Sequence, residues 1–172
     1  MTLGQSLLAT ASLIAITILV INAYRIVIVS KEDELRGEAI KIAGDLATAL
    51  INEALEKKYD ENATKSYFQE TSEFSTYLRP TSTEASIVRL PDTTYRSITG
   101  YNDFDDYNGY IRAVNTSTLT GFSLRCVVNY VPSATPNVPT TSKTYTKRME
   151  VYVKNPLYMK NDSLVFYATL SY

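Results

Sequence analysis

The chain reads as α+β, with one long N-terminal helix packed on a C-terminal antiparallel β-sheet. Three observations predict this. Residues 7–29 are almost unbroken apolar side chains, residues 31–58 switch to an amphipathic helical pattern, and three later segments alternate in polarity with a period of two. No proline falls between Thr2 and Lys58, so nothing breaks a single helix over that stretch. The organisation is then a helix over residues 1–58 and a β-rich head over residues 59–172.

Leu7–Val29 is 23 residues, roughly 35 Å as helix, against a hydrocarbon core of about 30 Å. It is long enough to span a bilayer. It differs from a cleavable signal peptide: no Lys or Arg precedes it, the apolar run is longer, and no small-residue cleavage site interrupts it. Asn22 and Arg25 are costly in lipid. Arg25 lies near the end of the span, where its guanidinium either snorkels to the interface or meets a carboxylate on a neighbouring helix.

From Lys31 onward, Leu35, Ala39, Ile42, Ala43, Leu46, Ala49, Leu50 and Leu55 recur at spacings of three and four, one apolar stripe between charged positions. Gly37 and Gly44 share nearly one side and mark a packing seam or a joint, because each glycine costs a helix about 1 kcal/mol relative to alanine. These glycines and the Asn22–Arg25 region are where the helix is expected to melt in an assembly. Tyr59-Asp60-Glu61-Asn62 ends the helix, with Lys57 and Lys58 at its negative pole. A helix of 58 residues would be about 87 Å long, a length of use to a filament rather than to an isolated domain.

In the head, the polar residues 62–84 read as a loop or a short helix around Ser66–Leu78, and Ala85–Leu90, between Pro80 and Pro91, reads as a short strand. Ser123–Val131 presents Leu124, Cys126, Val128 and Tyr130 on one face. Tyr145–Lys154 presents Met149, Val151 and Val153, opposed by Arg148, Glu150, Tyr152 and Lys154. Ser163–Tyr172 presents Leu164, Phe166, Ala168, Leu170 and Tyr172. An antiparallel meander with one apolar face needs a cover, and the amphipathic half of the helix is the candidate. Cys126 then belongs to the core as an inert thiol.

The 172 residues include no histidine and one cysteine, which excludes histidine-based triads, histidine-ligated zinc and an intrachain disulfide. Neither a nucleophile–base pair nor a Gly-rich phosphate loop stands out, so no enzyme is expected. The formal net charge of −1 gives no steering toward nucleic acid. It hides an asymmetry: residues 59–110 carry 4 positive and 9 negative side chains, residues 111–172 carry 7 and 2. The two halves pair either within one head or between subunits.

Asn102-Asp103-Phe104-Asp105-Asp106-Tyr107-Asn108-Gly109 concentrates oxygen donors. Asp103, Asp105, Asp106 and Asn108 are candidate calcium ligands, since calcium takes oxygen ligands at alternate positions with a glycine at the sharp turn; the bidentate glutamate of a full EF-hand loop is absent. The alternative is a solvated turn whose acids pair with the basic half. Asn62, Asn115 and Asn161 lie in Asn-x-Ser/Thr sequons and are candidate glycosylation sites in a host that modifies secreted proteins.

The opening Met1-Thr2-Leu3-Gly4-Gln5-Ser6-Leu7-Leu8, followed by a helix apolar in its first half and amphipathic in its second, resembles a mature type IV pilin. Mature pilins begin with Phe or Met, often followed by Thr-Leu, and carry a glutamate where this chain has Gln5. The resemblance implies a basic leader removed by a peptidase that methylates the new amino group of Met1. It implies storage in the inner membrane, then assembly by pilus machinery into an extracellular helical filament of identical subunits. It also implies that position 5 pairs with the amino terminus of a neighbour. Gln5 departs from the family there: an amide accepts a hydrogen bond from an ammonium, worth about 1.5–3 kcal/mol, without cancelling its charge. Assembly then leans on other contacts, Arg25 with an acid among them, and a minor pilin or a secretion pseudopilin becomes the alternative. A membrane-anchored periplasmic binding domain that never polymerises is the reading from another class.

Overall fold

The computed structural model describes residues 3–63, 69–160 and 163–172. Helix α1 runs unbroken over Leu3–Leu55, 53 residues, passing Asn22, Arg25, Gly37 and Gly44 without interruption. Met1, Asn161 and the first three residues of the 66–78 segment lie outside the described residues. The chain forms two compact units, Met1–Glu38 and Ala39–Tyr172, so the division falls inside α1 and its last turns belong with the head.

Within the second unit the four strands β1 (Ile111–Val114), β2 (Phe122–Tyr130), β3 (Thr146–Lys154) and β4 (Ser163–Ser171) form one antiparallel meander in the order β1-β2-β3-β4. The three long strands are the ones alternation predicts. β1 adds an edge that sequence reading missed, because four residues are too few for a period to show. The register aligns Cys126 with Val151 and Val151 with Phe166, and Val128 with Met149 and Met149 with Ala168. One face of the sheet is thereby a continuous apolar floor.

The second half of α1 covers that floor with a narrower stripe than the sequence suggests. Ala39, Ala43, Ala47, Leu50 and Ala54 are fully buried, and Ile42, Leu46 and Ile51 pack at the edges. Leu35, Ala49 and Leu55, assigned to the stripe from spacing alone, are exposed. The reason is position around the helix: Ala39, Ala43, Ala47, Leu50 and Ala54 fall on one line of its surface, and Leu35, Ala49 and Leu55 fall to either side of that line. Gly44 belongs to this seam: a Cβ placed there would meet the Phe166 ring at 3.9 Å, whereas one at Gly37 would meet nothing within 4 Å.

Two other expectations change. The helix stops at Leu55, so Lys57 and Lys58 lie beyond it, and Lys57 Nζ donates to the Ile98 carbonyl at 2.6 Å. The segment expected as strand Ala85–Leu90 is instead helix α2 (Ser82–Ile87), opened by a capping box in which Thr81 and Glu84 satisfy each other's backbone N–H. Thr-x-x-Glu is the overlooked signal; it fixes a helix start regardless of the β-branched residues that follow. Residues Thr71–Glu73 form a single 3₁₀ turn inside the segment read as loop or short helix. Helix α3 is the short turn Ser97–Gly100.

Candidate functional site

Two features stand out beyond the fold: the apolar surface of the first unit, and two clusters of charge buried in the second. From Leu3 to Val29 every large aliphatic side chain of α1 is exposed, from 47% at Val20 to 83% at Leu3. An 18-residue window of the helix reaches a mean hydropathy of 2.2, and it is long and apolar enough to cross a membrane. Gln5 and Arg25 lie in this region, both exposed. Ser6, Thr10, Ser12 and Thr17 return their hydroxyls to carbonyls three or four residues back. These hydroxyls are thus satisfied within the helix, as an apolar surrounding requires.

The first charge cluster sits where α1 ends against β1. Arg112 Nη2 donates to both Glu53 oxygens, at 2.9 and 2.7 Å, and its Nε donates to the Tyr110 hydroxyl at 2.7 Å. The Tyr110 hydroxyl donates to Asp92 Oδ2 at 2.8 Å, and Ser97 Oγ and the Tyr107 hydroxyl donate to Glu53 at 2.6 and 2.8 Å. The guanidinium also lies 4.6 Å from the centre of the Tyr95 ring. Burial pushes the Asp92 carboxyl up, but the Tyr110 hydroxyl and the N–H groups of Ser97, Arg96 and Thr94 hold it below the usual carboxylate range. Every charge in this cluster has its partners.

The second cluster centres on Lys147, fully buried in β3. Its Nζ donates to the Tyr59 carbonyl at 2.8 Å and to Asp60 Oδ2 at 2.8 Å, and lies 2.5 Å from Asp105 Oδ1. The Tyr59 and Tyr130 rings enclose it, with centroids at 4.3 and 5.1 Å. The two carboxylates differ. Asp60 also takes the Ser75 N–H and Oγ–H and the Asn62 N–H. Burial raises it, yet the Lys147 hydrogen bond and charge and those N–H groups bring it below the usual range. No backbone N–H or hydroxyl among the described residues donates to Asp105, whose polar neighbours are Lys147 and Asp60; burial, with the charge of Asp60, pushes this carboxyl up to about 7 against the pull of the lysine.

The acidic loop delivers Asp105 to this position. Asp103 Oδ1 accepts the N–H groups of Asp105 and Asp106, at 2.8 and 3.1 Å, which closes the turn Asp105–Tyr107. Asp106 Oδ2 accepts from the N–H groups of Asn102 and Asp103, at 2.9 and 3.2 Å. Asn108 spans to Val128 N and the Leu78 carbonyl, and Gly109 turns the chain with φ 81°. Desolvation raises Asp103 and Asp106 as well, each to about 7, helped by the charge of Asp105 on Asp103 and of Asp103 on Asp106. Of the four residues read as calcium ligands, Asp103, Asp106 and Asn108 each turn one side-chain oxygen to backbone N–H groups, and Asp105 lies against Lys147. Among the described residues no group of three or more His, Cys, Asp or Glu is arranged to hold a metal ion. Nor is the loop a solvated turn, since Asp103, Asp105 and Asp106 are all buried.

The acidic and basic halves do meet inside the head, at Asp60–Lys147 and Asp105–Lys147. Cys126 is fully buried, and burial pushes its thiol up, as expected of a core residue. Asn115 and Asn62 are both exposed. Sequence reading missed Lys147, Asp60, Glu53 and Arg112. For Lys147 a signal existed, since it is two residues before Met149 and so on the inward face of β3. Comparison of the chain with protein-family models, curated proteins and solved structures finds no match.

Proposed function

We propose that this chain is a structural subunit of an extracellular type IV pilus-like filament, held in the inner membrane before assembly and joined to identical subunits through its apolar N-terminal helix. One observation carries the reading: a single helix is bare and apolar from Leu3 to Val29 and buried by an antiparallel sheet from Ala39 to Ala54. The bare half needs an apolar surrounding, which lipid supplies in storage. In lipid the helices have no hydrophobic reason to associate, and small side chains such as Gly4, Ser6, Ala9, Ala11 and Ala15 permit close approach instead. Withdrawn into water as a fibre, burial of some twenty apolar side chains is worth on the order of tens of kcal/mol per subunit, at about 1.5–3 kcal/mol each before entropy. In this reading Gln5 accepts a hydrogen bond from the Met1 amino terminus of a neighbouring subunit, and Arg25 either snorkels or pairs with an acid of the next helix. The role is architectural, without a catalytic step on a substrate.

Gln5 in the place of the family's glutamate favours a second reading, a minor pilin or secretion pseudopilin present in few copies. Electron microscopy of sheared cell-surface material, with mass spectrometry of its N-terminal peptide, tests both. The expected result is a filament built mainly of this chain with N-methylated Met1. A trace amount in a filament of other subunits selects the second reading. A chain that stays in the membrane and enters no filament overturns both, and leaves a membrane-anchored binding domain.

A further inference from the structure

The buried contact between Lys147 and Asp105 has the features of a bond waiting to form. We infer that Lys147 Nζ and Asp105 Cγ condense into an intramolecular isopeptide bond, with Asp60 as the positioned general base, so that the mature head is covalently cross-linked between its acidic loop and β3. The inference is independent of whether the chain polymerises.

Three observations carry it. The amine and the acid are already in contact, Nζ 2.5 Å from Asp105 Oδ1, within the approach that converts a bimolecular step into a unimolecular one. The pair is buried: Lys147 and Asp105 are 0% and 2% exposed, and the Tyr59 and Tyr130 rings flank the amine. In water an ammonium and a carboxylate are hydrated and the ion pair is preferred over the amide. A site that withdraws hydration from both charges removes that preference, because burial penalises both ions while an amide and a released water are neutral. Finally, the two carboxylates are divided in role. Asp60 is fixed and ionised by three donors besides the lysine, while Asp105 makes no hydrogen bond that holds its oxygens. Burial, which moves Asp105 toward its neutral form, supports the same division.

The step balances. A proton passes from Nζ to Asp105 Oδ1, leaving a neutral amine beside a neutral carboxylic acid. The two remaining N–H groups donate to the Tyr59 carbonyl and Asp60 Oδ2, so the lone pair faces Asp105. Nitrogen attacks Cγ, Asp60 takes one proton from nitrogen as the C–N bond forms, and returns it to the departing hydroxyl. The products are one amide and one water, with Asp60 again a carboxylate and no oxidant, reductant or cofactor consumed. A cleft lined by Ser75, Tyr77, Arg79, Thr81, Asp103 and Asp105 gives the water a way out.

The test uses the full chain, recovered unfolded and refolded into detergent micelles, sampled over time, denatured and digested with trypsin. In the linear chain trypsin releases peptides 97–112 and 144–147. The bond instead yields one branched peptide, 97–112 joined to 144–148, lighter by one water than its parts, because an acylated Lys147 is not cleaved. The expected result is near-complete conversion to the branched peptide after folding and none in Lys147→Arg. Asp60→Asn is expected to slow conversion by about 10²-fold or more, the scale of a lost general base. Linear peptides persisting in the folded wild-type chain overturn the proposal and leave an ion pair, and this readout stands even if a variant does not fold. A branch from Lys147 to peptide 59–65 makes Asp60 the acylated group and overturns the assignment, as does conversion of Asp60→Asn at the wild-type rate.

Discussion

Arg112 and Lys147 are both buried, both next to two aromatic rings, and both paired with carboxylates from distant parts of the chain. They differ in what the surroundings leave over. Arg112 offers a planar fork of donors that Glu53, Tyr110 and Ser97 absorb, and its guanidinium keeps its proton under any condition a protein meets. The cluster is a closed lock between the last turns of α1 and β1. Lys147 is a point charge with three donors facing two acids, only one of which is otherwise held. One buried charge is thus fully compensated, while the other shares a site with a carboxyl that water no longer stabilises. Burial alone does not decide between architecture and reactivity; the hydrogen bonds left unmade do.

The sharpest way to break the comparison is to remove the partner in the closed cluster. Glu53→Ala leaves the Arg112 charge buried without its carboxylate and is expected to cost about 3–5 kcal/mol, read as the urea midpoint of the chain in micelles. A loss below about 1 kcal/mol would show that the lock is ornamental.

Acidity separates the clusters next. Asp103, Asp105 and Asp106 are raised from 3.8 to about 7, so between those values the folded head binds protons that the unfolded chain does not. Stability therefore falls as pH rises from about 4 to 7, by about 2 kcal/mol or more, since each tenfold change in a group's proton affinity is worth about 1.4 kcal/mol. Where Lys147 and Asp105 have condensed, Asp103 and Asp106 carry the effect, and Asp106→Asn flattens it. Asp92 and Asp60 act with the opposite sign: held low, they contribute stability that is lost as pH drops below about 4. Urea midpoints taken from pH 3 to 8 should pass through a maximum near the acidic end of that range; a steady rise from pH 4 to 7 would contradict the burial of the acidic loop.

Hydroxyl deletions probe the same difference on a smaller scale. Tyr110→Phe removes an acceptor for Arg112 and a donor to Asp92 and is expected to cost about 1–3 kcal/mol, since a buried charge loses its bond. Tyr130→Phe loses chiefly a bond to the Ser75 carbonyl, the Asp60 contact being 3.4 Å, and should cost about 0.5–1.5 kcal/mol. Equal losses would erase the distinction. The smallest effect belongs to Lys31→Ala, which breaks an exposed 2.6 Å pair with Glu34 and should move stability by no more than about 0.5 kcal/mol, read from the same urea midpoint.

Period and composition alone reveal the helix, its change of character near Lys31, and the inward faces of β2, β3 and β4, because these are local repeats that any packing must respect. They misplace what depends on neighbours. Leu35 and Leu55 satisfy the helical spacing yet stay exposed, since the sheet sits against the alanine line. Lys147 satisfies the inward spacing of β3 yet carries a charge, and a charge argues for the surface until its partners are known. Asp60 lies 87 positions away and Asp105 42, so no window of sequence contains the cluster. Residue pattern settles which stretches avoid water and with what period. Packing settles which charges lose their water, because dehydration is a property of everything gathered around a group and not of the group itself.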